Sequence, residues 1–427
     1  MKPNAGQEHW GVPLPTHWRV CQIKNVASVT LGKMLQPSDS GADLEHFYLR
    51  AANVQPDGLL RLADAKKMWF AEREVASLDL RAGDVVVVEG GVGGYGRAAY
   101  IGSDLPNWGF QNSINRLRPR TADGRFLTYY LIAARQRGYV QAICNIVSMP
   151  HFTAEKLAAM RLPVPPILEQ RAIADYLDHE LAQIDALIRK QERLVDTLRE
   201  RRAAVVERSL IDFAWVAPLR SVLRLIQTGP FGSQLKSDEY VEGGVPVINP
   251  SHIIDERVVP DRLVAVTEVK AAELARHALC AGDLVVARRG ELGRCAVVDS
   301  EGAGALCGTG SALLRPNTSR IDPYFLALVF RSQATRDALN LASVGSTMDN
   351  LNAGIIAALR IPLPPVAEQR RLVDGLDEQT AMIDLLIAKA GRFIEVSKER
   401  RGALMSAGVL GQIDLSEKTK APVEEIA

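Results

Sequence analysis

What this 427-residue sequence lacks removes whole classes of function. It has no run of about 18 apolar residues that would read as a membrane span. No basic-apolar-small leader opens it, which makes the cytoplasm the expected compartment. Its cysteines, Cys21, Cys144, Cys280, Cys295 and Cys307, lie far apart with no C-x-x-C pair, so reduced, buried thiols are expected rather than disulfides or a zinc site. Seven histidines are too widely spaced to form a cluster. The chain contains no G-x-x-x-x-G-K-[ST], no H-E-x-x-H and no serine, histidine and aspartate grouping, so neither a metal site nor a catalytic residue is assigned. An excess of one charge is missing too: 51 lysines and arginines face 50 aspartates and glutamates, and any basic surface must be local. With 47% hydrophobic residues, the chain can fill the cores of two or three domains.

What is present is a long repeat. R-L-P-V-P-P-I-L-E-Q-R from Arg161 to Arg171 returns as R-I-P-L-P-P-V-A-E-Q-R from Arg360 to Arg370, and the same offset carries Asp175, Asp178, Ile184, Asp185, Arg201 and Arg202 onto Asp374, Asp377, Ile383, Asp384, Arg400 and Arg401. Each copy predicts a long helix with a defined start. Pro165 and Pro166, or Pro364 and Pro365, favour an extended approach, and Glu169 with Gln170, or Glu368 with Gln369, follows in the first turn, where the helix dipole favours a carboxylate.

The apolar stripe runs through Ile173, Leu177, Glu180, Ile184, Leu187, Gln191, Leu194, Leu198, Arg201 and Val205 in alternating steps of four and three. Leu372, Leu376, Gln379, Ile383, Leu386, Ala390, Phe393, Ser397, Arg400 and Leu404 repeat it. Two such rods pairing as an antiparallel coiled coil would bury both stripes. The alternative is an amphipathic helix packed separately on each domain. From Ile167 to about Arg208 a helix would run on the order of 60 Å, more than an ordinary domain needs.

The order along the chain is domain, rod, domain, rod. The stretch to about Thr16 reads as irregular surface chain. Strands are expected at Phe47–Val54, Val85–Val88 and Ala98–Ile101, with a turn at Gln55–Gly58, a helix over Phe126–Arg137, and a short helix capped by Thr153. A diverged copy follows: strands at Val245–Ile253 and Asp283–Ala287, a helix over Tyr324–Arg331, and a short helix capped by Asn352. The best anchors are A-G-D-V-V-V (Ala82–Val87) against A-G-D-L-V-V (Ala281–Val286), and L-R-P at Leu117–Pro119 against Leu314–Pro316. The expected fold class is α+β: two similar α/β domains separated by two long antiparallel helices, an internal duplication with pseudo-twofold symmetry and the domains at opposite ends of the pair. Boundaries are placed at 1–160, 161–212, 213–359 and 360–412, with a flexible tail at 413–427.

Two near-motifs are set aside. Gly91, Gly93 and Gly96 match the glycine spacing of a dinucleotide loop, but Arg97–Ile101 reads as a returning strand rather than a helix, so a hairpin tip is expected. Asn249–His252 (N-P-S-H) is similar to the N-P-P-aromatic tetrapeptide of amino-group methyltransferases, but it lacks the ring that stacks on a flipped base, and no S-adenosylmethionine loop precedes it. A strand end is the favoured reading.

Polar and basic side chains concentrate at the inferred loops and strand ends. Arginine, asparagine and glutamine read base edges and lysine neutralises phosphate. The candidate DNA contacts are Lys33, Arg50, Asn53, Lys66, Lys67, Arg97, Asn112 and Arg116 in the first domain. In the second they are Gln234, Lys236, Asn249, His252, Arg288, Arg289 and Arg294.

The whole pattern resembles the specificity subunit of type I restriction-modification systems. P-V-P-P-I-L-E-Q-R (Pro163–Arg171) and P-L-P-P-V-A-E-Q-R (Pro362–Arg370) carry the likeness, supported by Ala82–Val87, Gly282–Arg294 and G-S-T at Gly345–Thr347. One departure is G-V-G-G-Y-G, which is longer than its equivalent in the second domain. The resemblance implies two target recognition domains, each reading half of a split, asymmetric site in double-stranded DNA, and helices that space them and bind two methyltransferase subunits. Catalysis would belong to partners: adenine methylation with S-adenosylmethionine, and ATP- and Mg-dependent translocation and cleavage by a restriction subunit where one is present. The competing readings are a related system without a motor subunit, a catalytic nuclease or methyltransferase, which the missing motifs count against, and a non-catalytic coiled-coil scaffold.

Overall fold

The computed structural model describes residues 8–91, 94–144, 151–343 and 351–413. The tail from Leu415, Gly345–Thr347, and Val92 with Gly93 of the glycine-rich hairpin lie outside the described residues. The chain divides into two compact units, residues 1–191 with 392–427, and residues 192–391. Each unit therefore contains one domain and half of each long helix.

In the first unit, β1 (Ala27–Leu31), β4 (Val85–Val88), β5 (Ala98–Tyr100) and β7 (Ile114–Pro119) form an antiparallel sheet in the order β1-β7-β4-β5. A second sheet has the order β3-β2-β6, from β2 (Leu44–Leu49), β3 (Lys66–Phe70) and β6 (Trp108–Phe110), with β2 and β6 parallel. The second unit repeats this arrangement. β8 (Leu223–Thr228), β11 (Leu284–Ala287), β12 (Cys295–Val297) and β14 (Ser311–Pro316) lie in the order β8-β14-β11-β12. β9 (Val245–Ile248), β10 (Ala265–Val266) and β13 (Leu306–Cys307) lie in the order β10-β9-β13, again with β9 and β13 parallel. The order of pairing survives where the sequences have diverged.

The four-valine run is apolar throughout because β4 is covered on both faces. Val85 and Val87 enter a core with α1 (Gly124–Gln136) and the long helices, whereas Val86 and Val88 enter a core with the second sheet. In the second unit, Leu284 and Val286 face the core that contains α3 (Pro323–Arg331), and Val285 faces the other. The sequence anchors also meet in space. Arg118 forks onto Asp84 at 2.8 and 2.7 Å, and Arg315 onto Asp283 at 2.8 and 2.8 Å. A buried carboxylate needs such a partner, and both aspartates are almost fully buried.

The N-terminal stretch departs from expectation. Glu8–His9 pairs with Val12–Pro13, Trp10 stacks on Tyr130 with ring centroids 5.1 Å apart, and Leu14 and Trp18 are buried in the main core. Its prolines and glycines suggested irregular surface chain, but its aromatics are packed inside. The expected strands Phe47–Val54 and Val245–Ile253 are shorter than drawn, each turning into a single helical turn at Ala51–Asn53 or Pro250–His252. The short helices Ala154–Ala159 and Ala353–Ala358 start as expected, with the side chains of Thr153 and Asn352 accepting the N–H of Lys156 and Ile355.

Both rods are 44-residue helices, α2 (Ile167–Leu210) and α4 (Val366–Val409). In the first unit, Ile173, Leu177 and Leu181 at the start of the first rod share a core with Met405, Val409 and Leu410 at the end of the second. In the second unit, Val206 and Leu210 share one with Leu372 and Leu376. Within each unit the halves thus run antiparallel.

The seam needs one correction, the same in both rods. Leu177, Ile184 and Leu198 are buried as expected, but the alternate positions fall one residue later. Leu181, Ile188 and Val195 are buried instead of Glu180, Leu187 and Leu194, and Thr380 instead of Gln379. Leu187, Leu194, Leu386 and Phe393 are left 41–48% exposed. Steps of four and three fit either phase where apolar residues are adjacent, as at Leu187–Ile188. Seating Glu180 and Arg201 in the seam would have buried charges, and that decides the phase.

Candidate nucleic-acid interface

In each domain four chain segments converge where the parallel strands end. In the first unit, Gln111 N–H donates to Leu49 C=O at 2.9 Å, Lys33 N–H to Phe110 C=O at 3.0 Å, Asn112 N–H to Lys33 C=O at 2.7 Å, and Glu89 N–H to Ser113 C=O at 2.8 Å. In the second, Gly308 N–H donates to Ile248 C=O, Gly229 N–H to Ser311 C=O, and Arg288 N–H to Gly310 C=O, all at 2.9–3.0 Å. The rim is tight because Gly32 and Gly229 have no Cβ. One built there would stand 2.3 Å from Gln111 O or 1.8 Å from Gly308 O.

Four expected DNA contacts are instead buried and committed. Asn53 is fully buried, accepting Arg50 N–H at 3.0 Å and donating to Arg61 C=O at 2.7 Å. His252 does the equivalent work in the second domain, where Asn249 N–H reaches its Nδ1 at 3.1 Å. Both residues therefore hold a strand end in shape. Arg116 is 5% exposed, bonded to Asp79 and to Thr30 Oγ1 at 3.2 Å, and lies over the Phe110 ring. Arg288 is 6% exposed and donates to Leu351 C=O. Burial lowers the pKa of both guanidinium groups. The sequence could not separate these from surface residues, since arginine serves both uses.

Other expected contacts are surface or rim residues already paired: Lys33 with Glu74, Arg50 with Asp64 at 3.0 Å, Lys67 with Glu45 at 3.1 Å and Arg294 with Glu291 at 3.0 Å. Arg97 is half-buried. Lys66, Lys236 and Arg289 are exposed and form no ion pair among the described residues. Asn112 and Asn249 are half-buried on the rim, and the Gln234 Oε1 is buried with no hydrogen-bond partner among the described residues.

Three rim residues escaped the sequence reading. Glu89 stands where the second copy has Arg288, and burial raises its pKa, partly opposed by the Asn115 amide. Reversal of charge at an aligned position was the available signal. Met34 and Phe231 are 74% and 59% exposed, each two residues past its locked glycine.

The helix starts are explained by geometry. Gln170 is 1% exposed; its Oε1 accepts Asp123 N–H at 2.9 Å and its Nε2 donates to Pro165 C=O at 2.8 Å. Gln369 is fully buried, with Asp322 N–H at 2.8 Å, Pro364 C=O at 2.8 Å and Arg320 C=O at 3.1 Å. Asp123 and Asp322 are in turn the N-caps of α1 and α3. The repeated glutamine therefore staples each rod to the main helix of its domain. Glu169 receives the Trp18 Nε1–H at 2.9 Å and meets His17 at 2.8 Å, a link to the N-terminal segment beyond the dipole role expected of it.

Among the described residues no three His, Cys, Asp or Glu side chains gather to hold a metal ion. Within the same residues no helix is long and apolar enough to cross a membrane.

The model of the type I restriction modification DNA specificity domain matches residues 61–194 and 226–389, each time from within a domain into a rod. The chain belongs to this family. Among relatives of this specificity subunit, that of the EcoKI enzyme of Escherichia coli is 22% identical over 433 residues, covering 96% of this chain and 92% of its own. The putative MjaX specificity subunit of Methanocaldococcus jannaschii is 26% identical over 216 residues, so the match spans about half of each chain. A solved chain from a study of complex assembly and conformational transition in a type I restriction-modification system superposes with a TM-score of 0.67. It is 18% identical and covers 94% of this specificity subunit and 99% of its own length, a likeness of fold.

Proposed function

We propose that the chain is the non-catalytic DNA-recognition subunit of a type I restriction-modification complex and reads a two-part, asymmetric site. The carrying observation is that the rim is built twice on the same backbone but furnished differently. Met34, Arg50, Glu89 and Asn112 in one unit answer to Phe231, Asn249, Arg288 and Thr309 in the other. A common scaffold with unlike side chains suits unlike half-sites. Lys66, Lys236 and Arg289, with no ion pair among the described residues, suit phosphate or guanine. Glu89 suits the amino group of a base.

Partner docking has its own support. The helix halves of the first unit expose Leu187 and Phe393, and those of the second expose Leu386 and Leu194, equivalent pairs under the internal repeat. Two equivalent sets of exposed apolar side chains suit two copies of a methyltransferase subunit. S-adenosylmethionine would be used there, and ATP with Mg by a restriction subunit where one joins. The expected compartment is the cytoplasm.

The test is exchange of residues 213–359 for the equivalent domain of a relative, in a host that also carries the methyltransferase, followed by sequencing of methylated DNA. One half-site should change and the other persist; a change in both would overturn the modular reading.

A further inference from the structure

An arginine near the end of each rod holds the same three-way junction in both units. In the second unit, Arg202 Nε donates to Asp384 of the other rod at 2.8 Å, while its Nη1 and Nη2 fork onto Glu256 at 2.7 and 3.0 Å. Glu256 also takes Arg331 Nη1, from the end of α3, at 2.6 Å. In the first unit, Arg401 Nε donates to Asp185 at 2.9 Å and its Nη2 to the Asp57 backbone carbonyl at 3.0 Å. Arg202 and Arg401, Asp185 and Asp384, and Asp57 and Glu256 all stand at the offset of the internal repeat.

The junction therefore survived a divergence that erased most of the domain sequence around it. One guanidinium ties the facing rod to the tip of the turn that leaves the rim. Both turns carry left-handed backbone. Asp255 and Glu256 hold φ at 46° and 65°, and Gly58 at 91°, where an added Cβ would stand 2.7 Å from Ile132 on α1. The arginine side chains are only 27% and 13% exposed, so salt screens these pairs less than surface pairs.

We propose that Arg202 and Arg401 are positioning residues that fix the attitude of each recognition domain on its own helix halves, and thereby the sharpness of the gap between the half-sites. This rests on the two-part reading above. A bidentate, planar fork is suited to the task because it fixes direction as well as distance. The two junctions differ in one useful way: Arg202 grips a side chain and Arg401 a backbone carbonyl. Glu256→Ala should therefore reproduce Arg202→Gln, whereas Asp57→Ala keeps the carbonyl, loses only an exposed bond from Leu59 N–H at 3.1 Å, and should leave the gap unchanged.

The experiment is methylation sequencing from hosts that carry the methyltransferase and the full chain with Arg202→Gln, Arg401→Gln, Glu256→Ala or Asp57→Ala. The half-site bases should stay as in the parent. Sites whose gap is one base pair longer or shorter should rise at least about tenfold in the first three variants, the factor that about 1.4 kcal/mol of lost discrimination carries, and stay at background in Asp57→Ala. Glu256 is on a half-exposed turn, so its variant keeps the test alive if a rod variant fails to fold. An unchanged gap distribution in Arg202→Gln, Arg401→Gln and Glu256→Ala, or a uniform loss of methylation with the gap intact, would overturn the proposal. A parent chain that yields no two-part site would instead refute the reading beneath it.

Discussion

Replacing Gln170 or Gln369 by leucine tests why the repeated motif keeps its glutamine. Leucine fills similar volume but neither donates nor accepts. Gln170→Leu strands two buried backbone groups, Asp123 N–H and Pro165 C=O. At about 1–3 kcal/mol for each orphaned group, less about 1–2 kcal/mol gained from burying an apolar side chain, the net loss is about 1–4 kcal/mol. Gln369→Leu strands a third, the Arg320 C=O, and should cost about 1 kcal/mol more. Urea unfolding followed by circular dichroism gives the losses, and hydrogen exchange gives their place. Protection should drop first at residues 123–126 and 322–325, where the orphaned N–H groups begin α1 and α3. If both variants stay within about 0.5 kcal/mol of the parent, or the order of the two is reversed, the staple has no energetic role and the reasoning fails.

Three further outcomes follow. Burial, with Arg161 nearby, holds the pKa of His9 at about 4 against an ordinary 6.5. The unfolded chain therefore binds a proton that the folded one refuses, and stability present above pH 6.5 should fall by up to about 3 kcal/mol as pH drops through 4; His9→Gln should flatten this part of a pH series of urea midpoints. Leu187→Asp with Phe393→Asp should weaken methyltransferase binding at least about tenfold in titration while the melting temperature holds, since both side chains are exposed; unchanged affinity would move the docking face elsewhere. A heptad inserted after Gln191 and another after Ala390 adds about 10 Å of helix, or about three base pairs at 3.4 Å each. It keeps the seam in phase, so methylated sites should show the longer gap, with weaker binding because the DNA also turns by about a third of a helical repeat; methylation only at the parental gap would show that the rods do not set it.

The duplication, the rod starts, the caps at Thr153 and Asn352 and the strand Val85–Val88 were legible because each rests on local chemistry: proline, capping side chains, or an unbroken apolar run. Seam phase was not, because Leu187–Ile188 and Leu194–Val195 offer apolar residues to both phases. The N-terminal hairpin was missed because glycine and proline mask a buried Leu14 and a stacked Trp10. Site residues were the least legible. Asn53, Arg116, His252 and Arg288 have the residue types of a DNA surface but are spent on holding strand ends and loops, and which arginine finds an internal partner depends on contacts between segments far apart in the chain. Glu89 was legible in principle, as a charge reversal between aligned copies.

The central claim is that one chain carries two different readers of DNA. Methylation-sensitive sequencing of DNA from a host carrying this chain and its methyltransferase tests it most directly. The account predicts a single motif made of two unlike half-sites, one modified adenine in each, separated by a gap of constant length and indifferent sequence. A contiguous motif, two identical halves, or methylation that ignores sequence would contradict it.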